Sequence, residues 1–383
     1  MIHLLFPVAA ALPPAVGAAS AVTDAPTEPR DSGAPALGAT EDGVQTQIIN
    51  GVDATVEDWP MAGGMLLNGD VSFQGFEFEQ TAILCSSTLI APDVVMLAAH
   101  CVDLDALTLQ LDPSGQVSIE NPEFYWTRRK NLSMYQLGAP PTNLPEDAVR
   151  AVKAVMHEEF DLFRIQLGLA NNKDIALLFL ETPILDVPLG YLPVAETTET
   201  EIEVGNEVVV VGWGQQTATG PGETPPAGSY GVKMMGTSFV AEVAPPEFKV
   251  GQVQSDVRKC HGDSGGPSFM QVETESSETW RVVGVTSHSY DLSDCSTTGG
   301  VDTRVSRYLD WIDGQMRAAC ADGTRSWCEI EGIVPPPLPD GTLAWEIADE
   351  EEDAKKACGC SSNGAGAASW LVLGALALVR RRR

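Results

Sequence analysis

Positive charge is what this 383-residue chain has little of. Only 23 Lys and Arg stand against 53 Asp and Glu, a net charge of −30. A nucleic-acid binder draws its affinity from a basic surface, so that class is excluded, as is docking of the folded part on anionic lipid. No internal repeat is visible, which leaves out solenoids and propellers. No Cys/His spacing fits a zinc pattern, so no metal and no cofactor are expected. The apolar run near the C-terminus, even counted from Ala365, stops at Val379, short of the roughly 18 residues of a spanning helix. What is present is a hydrophobic content of 44%, ordinary for a globular protein, with 36 Gly and 26 Pro, as many turns and short strands require.

The two ends read as export signals. Residues 2–19 are nearly all apolar or small, and Ala19-Ser20-Ala21 fits a signal-peptidase site. No Lys or Arg precedes that run, and Pro7, Pro13 and Pro14 interrupt it. Residues 1–21 are thus expected to be a signal peptide, and the unpatterned residues 22–47 a pro-segment. Residues 318–357 hold Pro335-Pro336-Pro337 and the acidic run Asp349–Asp353, which reads as a stiff, self-repelling linker; Cys320 and Cys328 could close a small loop within it. Residues 358–383 open with Cys358-Gly359-Cys360 and end on Arg380–Arg383, with small and apolar residues between. This end resembles the MYXO-CTERM tail of exported myxobacterial proteins. The likeness implies C-terminal sorting machinery as a partner and a mature protein that is secreted or attached at the cell surface.

Between these ends, residues 48–317 carry 15 Lys and Arg against 38 Asp and Glu, so most of the acidity lies there. Short β-branched runs broken by Gly, Pro and Asn recur, as in Ala176–Leu180, Val208–Val211 and Val282–Val285. Many short strands between turns predict an all-β sandwich or barrel. One helix is expected at the end of this region, where Val305, Tyr308, Leu309, Ile312 and Met316 share one face.

Gly262-Asp263-Ser264-Gly265-Gly266-Pro267 is the most informative string. Glycines around a serine let the backbone turn sharply and bring its amides close to a substrate carbonyl. Ala98-Ala99-His100-Cys101 offers a base, and Asn172-Lys173-Asp174-Ile175-Ala176-Leu177 a carboxylate at the head of an apolar run. The chain order His, Asp, Ser is one of those that support acyl transfer.

With Ile48-Ile49-Asn50-Gly51 and Gly212-Trp213-Gly214, these motifs resemble the trypsin/chymotrypsin (S1) family of serine endopeptidases over about residues 48–317. The resemblance implies two packed six-stranded antiparallel β-barrels with the site between them, acting on protein or peptide substrates. It implies Ser264 as nucleophile, His100 as general base and then acid, Asp174 as the group that orients it, and the N–H groups of Gly262 and Ser264 as the oxyanion hole. It further implies disulfides Cys85–Cys101 and Cys260–Cys295.

Activation in this family frees an N-terminus that pairs with the carboxylate before the nucleophile; Ile48 and Asp263 match these positions. Gln47 is not the basic residue usual before that bond, so an activator of other specificity is expected, this protease itself among the candidates. Arg258 stands where the family places the floor of the pocket for P1, the residue before the cut bond. Ser287, Ser289, Gly300 and Asp302 match other substrate-binding positions. Arg258 makes a preference for Lys or Arg at P1 unexpected. Either it faces an acidic substrate side chain, with Lys259 and His261 in support, or Asp302 neutralises it and leaves a small or polar pocket, the favoured reading. Ser86-Ser87 replaces the usual Gly-Gly, and His288 and Ser289 replace an aromatic and a glycine. The contrasting function is an inactive or zymogen-locked binding module on the same fold, which would be expected to have lost a residue of the triad. A third, a surface-tethered adhesin, would rest on the tail alone.

Overall fold

A computed structural model describes residues 48–73, 76–111, 117–136, 143–193, 202–217, 229–273, 278–291, 295, 298–325 and 327–328. The expected signal and pro-segments, the expected sorting tail and most of the expected linker lie outside these residues. All described residues except Glu273 belong to one compact unit.

Six antiparallel strands close the first barrel in the order β2-β3-β4-β7-β6-β5. They are β2 Ala62–Phe73, β3 Phe76–Ala91, β4 Val94–Leu97, β5 Val117–Thr127, β6 Val149–Met156 and β7 Ala176–Leu180. The second ring runs β8-β9-β10-β13-β12-β11, closed by the β8–β9 pairing, with the two-residue β1 Val52–Asp53 added outside β9. Its members are β8 Glu207–Gly212, β9 Met234–Val243, β10 Glu247–Val250, β11 Pro267–Glu273, β12 Glu278–Ser289 and β13 Gly300–Arg304. The two-barrel expectation holds. Closure removes the free strand edges that would otherwise pair with other chains.

Strands β4 and β7 are buried along their whole length and pair directly, Leu97 opposite Ala176. Such strands read as continuous apolar runs because neither face meets water. Among the described residues two α-helices accompany the barrels. The first, α1 at Leu104–Leu111, was not expected; Asp103 starts it by accepting from the amides of Asp105 and Ala106 at 3.0 and 3.3 Å. The second, α2, covers Leu309–Ala321 after a 3-10 turn at Val305–Arg307. Val305, Tyr308 and Ile312 of the expected face are buried.

Residue 317, the expected domain end, lies within α2; beyond it residues 318–325 and 327–328 are described, with Cys328 joined to Cys320 by a disulfide. This return is held by Arg325, whose Nε and Nη2 reach Asp93 Oδ1 at 3.0 and 2.8 Å, while Trp327 N donates to Asp93 Oδ2 at 3.0 Å. Asp93 is fully buried, so removing its partners would leave a bare charge. Arg325→Ala is therefore expected to destabilise the chain by about 3–5 kcal/mol in denaturant unfolding. A loss below about 1 kcal/mol would show that the return is incidental.

Candidate active site

His100 lies on a 3-10 turn, Ala99–Cys101, directly after β4, and Asp174 lies directly before β7. The β4–β7 register therefore brings the two together, and the Cys85–Cys101 disulfide fixes the turn. The His100 backbone N donates to Asp174 Oδ1 at 3.0 Å, and His100 Nδ1 lies 2.8 Å from Asp174 Oδ2. Both side chains are buried. Ser287 on β12 donates its hydroxyl to the same Oδ2 at 2.6 Å, and Thr303 on β13 donates to the Asp174 carbonyl at 2.9 Å. Residues of both barrels thus grip the aspartate.

Electrostatics follow from this contact. Burial alone would lower the His100 pKa, but the charge and hydrogen bond of Asp174 outweigh it and raise it above 6.5. Burial alone would raise the Asp174 pKa, but His100 and the Ser287 hydrogen bond outweigh it and lower it.

Ser264 sits half-buried on a turn whose flanks, Gly262 and Gly265, have φ of 91° and 78°. That left-handed region favours glycine. A Cβ at Gly262 would meet the Tyr230 ring, and one at Gly265 would stand 3.0 Å from Leu97 Cβ and 3.1 Å from the Ala98 amide. The serine turn therefore presses on the chain that leads into His100. No hydrogen bond joins the Ser264 and His100 side chains among the described residues; such bonds often form only with substrate bound.

Ser86 stands where the family usually has a glycine. Its amide donates to the Ser264 carbonyl at 2.8 Å, its hydroxyl donates to the Gly262 carbonyl at 2.9 Å, and it accepts from Trp213 N at 2.9 Å. One side chain thereby ties the serine turn to the Gly212-Trp213-Gly214 loop. Nothing in the local sequence signals this, since its partners are 127 and 176 residues away.

Asp263 is buried, accepting from Gly214 N at 2.8 Å and Cys260 N at 2.9 Å. Burial pushes its carboxyl up to about 6 against the opposing pull of these bonds. Ile48 is fully buried in the second barrel's core, beside Val208, Val210 and Val250. Ile49 bridges to Arg258, whose amide donates to the Ile49 carbonyl at 3.0 Å.

Among the expected pocket residues one pairing requires correction. Asp302 is held by Lys259, not by Arg258: Lys259 Nζ lies 2.8 and 2.7 Å from the two Asp302 oxygens and 2.8 Å from Ser268 Oγ. Arg258 instead donates to the carbonyls of Cys295 and, at 3.2 Å, Gln254. Adjacent residues in an extended segment face opposite ways, so only one of these two cations could reach β13. Arg258, Lys259 and Asp302 are all buried. Burial lowers the pKa of both cations, opposed by Asp256 for Arg258 and by Asp302 for Lys259. Gly300 faces Lys259, a Cβ there standing 3.9 Å from Lys259 Cβ. Ser287 is buried and Ser289 half-buried at the end of β12.

The expected disulfides Cys85–Cys101, Cys260–Cys295 and Cys320–Cys328 are all formed. Two Cys/His groupings, around His100 and His261, are compact enough to suggest a metal, but their sulfurs are already bonded to one another. A cystine offers no thiolate ligand.

A double β-barrel with a buried His–Asp pair beside a serine turn defines a class, and comparison with known proteins assigns it. The family model described as Trypsin matches residues 48–312. The chain belongs to this family of serine-type endopeptidases. It is 27% identical over 278 residues to transmembrane protease serine 11C of Mus musculus. That alignment covers 70% of this chain, and the chain spans about half of that relative, 53% of its length.

Proposed function

We propose that the protein is an exported serine endopeptidase that cleaves peptide bonds through an acyl-enzyme. The observation that carries this reading is the buried His100–Asp174 contact of 2.8 Å, set against the Ser264 turn. His100 Nδ1 faces a carboxylate that can only accept, so the hydrogen sits on Nδ1 and Nε2 is left as the base. Nε2 would take the Ser264 proton as Oγ attacks the carbonyl carbon, then give it to the leaving amine; water repeats the sequence to release the acid. The amides of Gly262 and Ser264 would hold the oxyanion, each contributing about 10²–10³ in rate. The turn that presents them is supported by Ser86.

The base must be neutral, and its pKa is raised. The acid limb of kcat/KM against pH is therefore expected to have its midpoint above 6.5. A midpoint well below 6.5 would contradict the role of His100.

The precursor reading rests on Asp263. Its buried carboxylate accepts from two main-chain amides and makes no ion pair among the described residues, and burial pushes it up to about 6. An α-ammonium freed by cleavage between Gln47 and Ile48 would supply a counter-ion and set the oxyanion amides. The activating protease, this enzyme itself among the candidates, would cut after Gln47. Export through residues 1–21 and sorting through residues 358–383 complete the proposal, with the enzyme released or retained at the surface.

Specificity follows from the correction above. Lys259 neutralises Asp302 and Arg258 is held by carbonyls, so among the described residues at the expected pocket positions no carboxylate is left to pair with Lys or Arg. Arg258 is buried and directed at the main-chain carbonyls of Cys295 and Gln254, which favours a small or polar P1 residue over an acidic one. Profiling cut sites in a peptide library is expected to give at least tenfold preference for such residues over both Arg and Glu, about 1.4 kcal/mol. A dominant Arg or Glu signal would overturn this pocket assignment.

A further inference from the structure

We propose that His288 is a positioning residue for Asp174, acting through Ser287. The proposal rests on the catalytic reading above and adds a fourth group to it. The side chains are linked in series: His288 Nδ1 lies 2.9 Å from Ser287 Oγ, which lies 2.6 Å from Asp174 Oδ2, which lies 2.8 Å from His100 Nδ1.

The direction of the inner bonds follows from Asp174, and with it the hydrogen required on His288 Nδ1. Asp174, held as a carboxylate below its ordinary range, can only accept. The one hydroxyl hydrogen of Ser287 therefore points at Oδ2, and Ser287 Oγ offers only lone pairs to His288. His288 Nδ1 must then carry the hydrogen and donate. The chain runs one way, from the His288 N–H through the Ser287 O–H to Asp174. Successive donors polarise one another, so the outer bond strengthens the inner one.

The other face of the ring meets the segment that leads into Asp174. His288 Nε2 lies 3.1 Å from the Gly168 carbonyl and 3.4 Å from Asn172 Nδ2; in the neutral ring with its hydrogen on Nδ1 it accepts from Asn172, and only the doubly protonated ring also donates to Gly168. That segment is anchored independently. The Glu247 carboxylate accepts from the amides of Ala170 and Asn172 at 2.6 and 2.9 Å, and Gly168 N donates to the Tyr290 carbonyl at 2.8 Å. Loss of His288 would thus leave the segment in place while weakening the donor on Oδ2.

Two effects follow. Asp174 becomes less firmly oriented, which lowers kcat. Its charge is also less dispersed, so it holds the His100 proton more tightly and the acid limb moves to higher pH. The charged groups acting on His100 are Asp174 and, more weakly, Asp103; Glu247 faces the segment behind His288. All three are unchanged in the variants below.

The test uses the full chain after cleavage at Ile48, with active sites counted by fluorophosphonate titration and folding checked by thermal melting. His288→Phe keeps a planar ring without donors, His288→Asn keeps a donor near the Nδ1 position, and His288→Gln keeps one near Nε2. The Phe variant is expected to lose about tenfold in kcat/KM, mostly in kcat, and to shift the acid limb upward by several tenths of a pH unit. The Asn variant should recover most of both and the Gln variant neither. If the Phe variant does not fold, the Asn–Gln contrast decides alone. The proposal is overturned by a Phe variant within twofold of the parent with an unmoved limb, by recovery with Gln instead of Asn, or by equal loss in both amides. A parent enzyme that does not label at Ser264 would instead overturn the catalytic reading itself.

Discussion

Ser264→Ala is expected to lower kcat by about 10⁴–10⁶-fold, with the fold unchanged. The rate falls because the acyl-enzyme has no other oxygen to form on. The fold persists because Ser264 serves it through its backbone: its carbonyl accepts from Ser86, while its side chain is half-exposed. Alanine keeps that carbonyl and fits the same turn, since the left-handed angles fall on Gly262 and Gly265. Thermal melting is expected to move by no more than a degree or two, and peptide binding to survive. Turnover within tenfold of the parent would remove Ser264 from the mechanism.

Asp174→Asn, nearly identical in shape, is expected to lower kcat by about 10⁴. Three donors converge on the two Asp174 oxygens: the His100 amide on Oδ1, and His100 Nδ1–H with the Ser287 hydroxyl on Oδ2. A carboxamide has one oxygen and an NH₂ group, so it cannot accept from both sides. With its oxygen in the Oδ1 place, its N–H faces the imidazole and forces the hydrogen onto Nε2, the nitrogen proposed to receive the serine proton. With its oxygen in the Oδ2 place, its N–H opposes the His100 amide. Either orientation also leaves a buried donor unmet, costing about 1–3 kcal/mol of stability. A loss in kcat of less than tenfold would mean that Asp174 does not set the tautomer.

Much of this was legible in the sequence. His100, Asp174 and Ser264 stand in short motifs whose neighbours declare the local structure: the apolar run after Asp174 is β7, and the glycines beside Ser264 supply the angles its turn requires. Pairing at a distance was less legible. Arg258 and Lys259 are adjacent cations, and which of them meets Asp302 depends on the facing of one peptide segment. Ser86 and His288 read only as departures from the family pattern, because the partners of Ser86 lie in other loops and the Asp174–Ser287 bond joins residues 113 positions apart. The contact of the chain after α2 was hidden for a similar reason: Arg325 reads as a linker residue until Asp93, 232 positions earlier, is found opposite it.

The most direct measurement is labelling with a fluorophosphonate probe, followed by mapping of the modified residue, on the chain before and after cleavage between Gln47 and Ile48. Labelling on Ser264 alone, weak before the cut and rapid after it, is the predicted result; absence of labelling in the cut chain, or labelling at another residue, would contradict it.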